Sequence, residues 1–310
     1  MLPVLIVCFA RPENLRLLLN MPEVQKRQIY IFVDGANEPG KIKELNAEVL
    51  EIIHSNKLDL SINLLRSEIN VGVKNAVPMA VDWAMTTENA LIILEDDCMP
   101  STQAVSFFDE QIRNLNSNTL MVCGSAPKKA YIEVSNLDST RYANYPLIWG
   151  WATNRESWDY LSLGIDRKRT PWILILRKIL VTPRLALAVL FFAAANVRVK
   201  NGILNAWDSP VALEMLIKSY QCILPLESLI INNGDDPVAS HPPKNQFSYS
   251  KRTRNANDVN RRIEREIYNM KIRNAFSPLK AYLEVLTLKY PKKIEFFRMN
   301  QFVTRIFKSG

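Results

Sequence analysis

Glu95, Asp96 and Asp97 are consecutive acids that follow directly on Leu91–Leu94 in LIILEDDCMP, residues 91–100. Four large aliphatic residues in a row read as a buried strand. Three carboxylates packed at its end repel one another, and each loses water if that end is covered. A hard divalent cation removes the conflict. Mg²⁺ or Mn²⁺ takes one or two carboxylates and fills its remaining positions with water and phosphate oxygens. The run is therefore a candidate metal site that would hold a diphosphate; a solvated acidic loop is the plainer alternative. The chain carries no Gly-rich phosphate loop of the Rossmann or P-loop kind.

The acids need a scaffold, and the flanking sequence supplies one. PVLIVCF (3–9), IYIFVDG (29–35), LSINLL (60–65), LIIL (91–94) and TLMVCG (119–124) read as strands. Between them, Pro12 opens a helix with Leu15, Leu18 and Leu19, and residues 40–56 place Ile42, Leu45, Val49, Ile52 and Ile53 on one helical face. Residues 73–86 also look helical, with Pro78 either kinking them or marking a first turn. Strand and helix in alternation mean βαβ units and a mostly parallel sheet, in which ligands gather beyond the strands' carboxyl ends. Arg11, Asp34 and Glu95–Asp97 close the first, second and fourth runs, so they are expected along one sheet edge.

Length and composition fit one large domain, or one domain with an appendage: 310 residues, 48% apolar and 23% charged. Charge is unevenly spread. Lys244–Gly310 holds 16 Lys/Arg against 5 Asp/Glu, while Arg167–Lys200 holds eight bases and no acid. Such basic segments are either solvated helical faces or contacts for an anionic partner. Cys8, Cys98, Cys123 and Cys222 have no CxxC spacing and read as reduced core thiols of a cytosolic protein. MLPVLIVCFARP lacks a basic leader and reads as a first strand, not a signal peptide. LALAVLFFAAA, 185–195, is shorter than the roughly 20 residues a spanning helix needs.

VCFARPENLRLLL, IFVDGAN, INVGVKNAV, LIILEDDCMPS, WGWATNRESW, NAWDSP and PLESLIINNGDDPVASH come in the order of the motifs of bacterial nucleotide-sugar glycosyltransferases of the GT-A fold. The chain resembles that group, which is similar in turn to N-acetylglucosaminyltransferase I. The resemblance spans about residues 3–243. It implies an α/β, Rossmann-like catalytic domain over 1–243, a mostly parallel sheet flanked by helices. Residues 1–125 would form the nucleotide-binding half and 126–243 the acceptor-side half, with 244–310 a basic helical C-terminal appendage. It further implies a divalent cation, a nucleotide-diphosphate donor with UDP-sugar favoured, and a glycan or lipid-linked acceptor in surface polysaccharide or lipopolysaccharide synthesis. By the same resemblance Asp97 coordinates the cation, Asp96 faces the ribose or sugar, and Glu95 supports the nucleotide sugar. Asp34 falls where the group contacts the base. Phe9 and Arg11 lie in the nucleotide pocket, and Lys74 reaches base or diphosphate. Arg11 as a plain ion pair and Lys74 as a solvated surface residue remain the alternatives.

Sugar transfer with inversion is an in-line displacement at the anomeric carbon. It needs a carboxylate across the sugar from the metal to take the acceptor's proton. Asp208 in NAWDSP is the candidate, because the resembling group carries its catalytic Asp in a Trp-Asp context near this point. Asp208 can instead cap the helix over 209–218. Glu214 is a competing base, although the two do not share a helical face cleanly. Trp149 and Trp151 lie on one side if WGWATN is extended; they then form a stacking platform for a sugar or pack in the core. His241 in VASHPP stands where the group often carries a His, and is either a metal or phosphate ligand or a structural residue.

Residues 166–200 and 244–310 have no counterpart in the family pattern. In the tail, Leu283, Val285, Leu286, Tyr290, Phe296, Phe297, Phe302 and Phe307 would line an apolar face among Lys and Arg. That composition suits an anionic membrane surface, at the inner face of a cytoplasmic membrane, or packing against the catalytic domain. No nucleic-acid motif accompanies the charge. Two other readings are a sugar nucleotidyltransferase, whose Gly-rich, Lys-containing start is missing from VCFARPEN, and a non-catalytic membrane-surface protein with a transferase-like core.

Overall fold

The computed structural model describes residues 1–37, 39–56, 60–126, 140–166 and 170–233. In chain order the elements are β1 (Val4–Cys8), α1 (Pro12–Leu19), α2 (Pro22–Gln25), β2 (Ile29–Val33), α3 (Lys41–Asn56), β3 (Ile62–Arg66), α4 (Val73–Ala84), β4 (Ala90–Glu95) and β5 (Cys98–Pro100). They continue with α5 (Thr102–Gln111), β6 (Thr119–Cys123), β7 (Thr140–Ala143), β8 (Trp151–Asn154), α6 (Arg155–Asp166), α7 (Trp172–Val181), α8 (Ala186–Lys200), α9 (Asp208–Lys218), β9 (Gln221–Pro225) and β10 (Ile230–Asn232). All five expected strands form. So do the helices expected over 12–19, 40–56, 73–86 and 209–218, with Pro78 inside α4, while the helical appendage expected over 244–310 lies outside the described residues.

An eight-stranded sheet runs β3-β2-β1-β4-β8-β6-β9-β7. Strands β3, β2, β1 and β4 are parallel neighbours, and β6 is parallel to β9. The sheet is therefore α/β and mainly parallel, as the alternating pattern implies. It departs from that pattern at β8, which wedges antiparallel between β4 and β6, and at β7, antiparallel on the edge. Short β5 and β10 make a separate antiparallel pair just past the acidic run.

Alternation along each central strand feeds two cores. Val4, Ile6 and Cys8 of β1 pack with Leu15, Leu18, Val49, Ile53 and Phe108 under α1, α3 and α5. Leu5 and Val7 face Val77, Val81, Leu161, Val211 and Met215 under α4, α6 and α9. A third cluster joins α7, α8 and α9 through Ile175, Val189, Leu213 and Leu216.

One ion pair ties the amino-terminal edge together. Arg27, 5% exposed in its side chain, donates to both oxygens of Asp109 on α5 at 2.9 and 2.6 Å and to the Leu2 carbonyl at 2.8 Å. Asp109 also accepts from Leu2 N–H at 2.7 Å. Burial pushes the Asp109 carboxyl up, but the Arg27 hydrogen bonds, the Leu2 amide and the Arg27 charge outweigh it and hold the pKa below the ordinary value. A lowered folded-state pKa gives stability that is present above the unfolded value and lost as pH falls through the folded one. Asp109→Asn should therefore cost about 1.5–3 kcal/mol near neutrality. The gap to the parent should close on acidification below about pH 4, read by urea denaturation across pH.

Candidate functional site

From β1 the sheet grows one way to β2 and β3 and the other way to β4, so the order of strand addition reverses between the parallel strands β1 and β4. Such a switch point opens a crevice beyond the strands' carboxyl ends. Arg11, at the start of α1, and Glu95–Asp97, at the end of β4, meet there.

Asp96 is 3% exposed. Its Oδ1 takes the Arg11 guanidinium at 2.6 Å and its Oδ2 accepts from the Phe9 amide at 2.9 Å. Burial raises its pKa, Arg11 and the Phe9 amide pull against that, and the balance stands at about 6. The residue expected to face a ribose is thus a buried anchor joining the ends of β1 and β4. Asp97 is more open, at 19% of its side chain. One oxygen lies 3.8 Å from Arg11, and the other accepts weakly from the Cys98 thiol at 3.4 Å. Its carbonyl holds the Asn233 amide at 2.7 Å, which brings the segment after β10 over the acidic turn.

Glu95 follows Leu91 and Ile93 in alternation, on the side of α4 and α9. Burial and then the charges of Asp97, Asp96 and Asp208, opposed by Arg11, push its carboxyl up to about 8. Asp208 is remote in sequence, yet it belongs to this electrostatic cluster. It is the first residue of α9, half-buried, and the preceding position is occupied by Trp207. The capping alternative therefore fails in its simple form: Asp208 sits inside the helix start, where a negative charge still gains from the helix dipole.

A second set of contacts positions Asp208. The Asp34 carboxylate, 5% exposed, accepts from Val71 N–H at 2.8 Å and Gly72 N–H at 3.0 Å. Burial raises its pKa, and these amides with that of Gly35 lower it. Asp34 thereby holds the loop that leads into α4. Asn205 then accepts from the Lys74 amide at 3.0 Å, tying that loop to the segment just before α9. Gly72 is obligatory at this seam: its φ is +75°, and a Cβ would stand 2.6 Å from the Asn205 side-chain amide.

The other expected site residues make these contacts. Asp34 is engaged by the Val71 and Gly72 amides. Lys74 Nζ donates to the Val199 carbonyl at 3.2 Å in the last turn of α8, where a cation meets the negative helix end. Trp149 and Trp151 do not share a side. Gly150 between them has φ +60°, which breaks the extended chain, and their rings join opposite cores. Trp151 is 1% exposed, stacked on Trp207 at 5.2 Å between ring centres, and so is core and not a platform. Glu214 is 3% exposed in the packing of α6 on α9, where its Cβ would crowd any side chain at position 164 and its charge raises the Tyr220 pKa. His241 lies outside the described residues.

Two functional contributors were not singled out from sequence. Asn46, 3% exposed, donates to the Asp34 carbonyl at 2.8 Å and also to the Phe9 carbonyl, linking the ends of β1 and β2. A polar residue on the Ile42–Val49–Ile53 face of α3 was the available signal. Asn205 had none beyond its place in NAWDSP.

Among the described residues, no three His, Cys, Asp or Glu side chains surround a common point. The donor chemistry fits a hard cation nevertheless: anionic oxygens only, crowded enough to raise Glu95, with Arg11 opposing them. Neither a protein-family model nor a curated protein matches the chain. Solved structures similar to it include a mannosyltransferase, PcManGT, from Pyrobaculum calidifontis in complex with GDP-Man and Mn²⁺, with 11% identity, 76% of this chain and 58% of that chain covered, and TM-score 0.43. GalNAc-T7 with UDP, GalNAc and Mn²⁺ gives 11% identity, 85% and 48% coverage, and TM-score 0.48. A mannose-1-phosphate geranyltransferase from Thermus thermophilus gives 11% identity, 74% and 75% coverage, and TM-score 0.38. The chain spans little more than half the length of PcManGT and about half that of GalNAc-T7.

The different burial of neighbouring acids yields a test. Asp96→Ala removes the buried carboxylate that accepts from the Arg11 guanidinium and the Phe9 amide and should cost about 3–5 kcal/mol of stability. Asp97→Asn removes a more exposed charge that repels Glu95, so it should leave stability within about 0.5 kcal/mol of the parent. Paired urea melts of the two variants check both values.

Proposed function

We propose that this chain is a metal-dependent, inverting glycosyltransferase that moves a sugar from a nucleoside-diphosphate donor to a glycan or lipid-linked acceptor. The observation that carries the reading is the convergence of Asp208, at the start of α9, with Glu95–Asp97 at the β1/β4 switch point. Carboxylates from two different elements, the end of β4 and the start of α9, come within Coulombic reach of each other at Glu95 and Asp208, which supports a base and a metal ligand supplied from separate sides, as displacement at an anomeric carbon requires. A cation held by Asp97, with Glu95 beside it, would offset the charge of a departing diphosphate.

The remaining work falls to the protein's own groups. Arg11, locked on Asp96, keeps the ends of β1 and β4 together so that Asp97 faces a fixed point. Asp208 takes the proton from the acceptor hydroxyl as that oxygen attacks the sugar. Asn205 and Gly72 hold the α9 start in register with the donor side. We infer a UDP-sugar donor and a role in surface polysaccharide or lipopolysaccharide synthesis from the motif order in the sequence. His241 is kept as a further ligand on the same ground. Four buried free cysteines accord with a reducing, cytoplasmic setting. No helix of the described residues is long and apolar enough to cross a membrane.

Calorimetry with UDP, GDP and CMP, with and without Mn²⁺, is the direct test. Nucleoside diphosphate should bind only with the metal present, and Asp97→Asn should weaken that binding by at least about tenfold. Asp208→Asn should lower sugar transfer by about 10²–10⁴-fold while leaving nucleotide affinity nearly unchanged. Absence of any nucleotide binding in Mn²⁺ would remove the transferase reading, and equal loss of binding and transfer in Asp208→Asn would make Asp208 a binding residue.

A further inference from the structure

Helix α7 is built inside out. Its inner face carries Ile175 and Lys178, both buried, with Ile179 half-buried beside them. Lys178 donates to the Ser219 hydroxyl at 2.7 Å, and burial lowers its pKa. Its outer face is apolar and open to solvent. Trp172 is 50% exposed, Ile173 69%, Leu176 51%, Leu180 72% and Val181 70%. At about 100° per residue these five side chains, with exposed Arg177 among them, fill one continuous half of the helix. Side chains exposed to this degree form a ridge, not a groove. A monomer gains nothing from presenting such a stripe to water.

We propose that the outer face of α7 is a docking surface for an anionic lipid bilayer, with α7 lying in the interface plane and Arg177 at headgroup level. Charge selects the occupant. Arg167–Lys200, which contains α7, has eight bases and no acid. Of these bases Arg177 lies exposed on the outer face of α7, whereas Lys178 is buried, and a second copy seated on this face by two-fold symmetry would bring the like-charged Arg177 side chains to one interface. The chain's own tail, with 16 bases against 5 acids, carries the same sign of charge and offers no electrostatic complement to Arg177. An anionic bilayer offers both an apolar layer for Trp172, Ile173, Leu176 and Leu180 and a negative surface for the bases. A tryptophan at the end of such a helix suits the boundary between them. The inference stands apart from the transferase reading, because vesicle binding is measured with no nucleotide present.

The test uses the full chain and vesicles of phosphatidylcholine with or without about one-third phosphatidylglycerol, in co-sedimentation at low salt. The parent should bind the anionic vesicles and bind neutral ones more weakly. Ile173→Ser with Leu180→Ser should lower the partition coefficient by at least about tenfold, and Arg177→Glu by about fivefold or more on anionic vesicles only. Leu17→Ser, which alters an exposed leucine on α1, should change nothing. Emission should shift to the blue on vesicle addition, and this shift should be lost in Trp172→Phe. Far-ultraviolet circular dichroism and melting curves confirm that each variant folds. Failure of the parent to bind overturns the proposal. So does binding unchanged by the α7 substitutions, which would assign attachment to the tail. A dimer that the double substitution dissociates, without vesicle binding, overturns it in favour of self-association.

Discussion

Negative charge concentrated at one sheet end is the constraint around which the rest of this structure is arranged. Asp96, Asp97 and Asp208 all lie within Coulombic range of Glu95, and Arg11 answers the charge. The protein does not dilute this charge with solvent. It buries Asp96, pins it with a guanidinium and a backbone amide, and lets Asp97 and Asp208 stay more open. The result is a division of labour between adjacent residues of identical type. One carboxylate pins the ends of β1 and β4 together while its neighbour stays more open to solvent. A cluster left in this state holds an electrostatic deficit that a cation satisfies directly.

What sequence revealed follows from which forces are local. Strands β1, β2, β4 and β6 were legible because burial on both faces writes itself into nearly every position, and β3, largely open, because of its alternation. Strand β8 was not, since WATN is four residues long and follows Gly150 at positive φ, which turns its two flanking tryptophans to opposite cores. The antiparallel wedge it forms between β4 and β6 is a matter of tertiary pairing, which no periodicity encodes. The clustering of Arg11 and Glu95–Asp97 at one edge was legible from strand ends alone. The destinations of Asp34 and Lys74 were not: each is decided by an amide or carbonyl remote in sequence, Val71 and Gly72 for one and Val199 for the other.

Helix α7 shows a different limit. Its apolar residues invite a core assignment, and its lysine invites a surface one. Both assignments reverse in the fold, because the α7–α9 contact has room for an ammonium beside Ser219 at the carboxyl end of α9. There the helix dipole favours positive charge, although burial still lowers the Lys178 pKa. Composition of a helix therefore states how much it can bury, whereas its neighbours decide which side does so.

The seam at Gly72 and Asn205 has a mechanical consequence. Asp34 grips the loop before α4, and that loop grips the segment entering α9, so three chain regions are linked in series by hydrogen bonds of 2.8 to 3.0 Å. With Gly72 pressed against the Asn205 amide, there is no slack in compression. The start of α9 cannot slide toward or away from the end of β2 by itself. Any displacement there is shared by both ends, so the two sides of the crevice behave as one lever instead of two independently moving jaws.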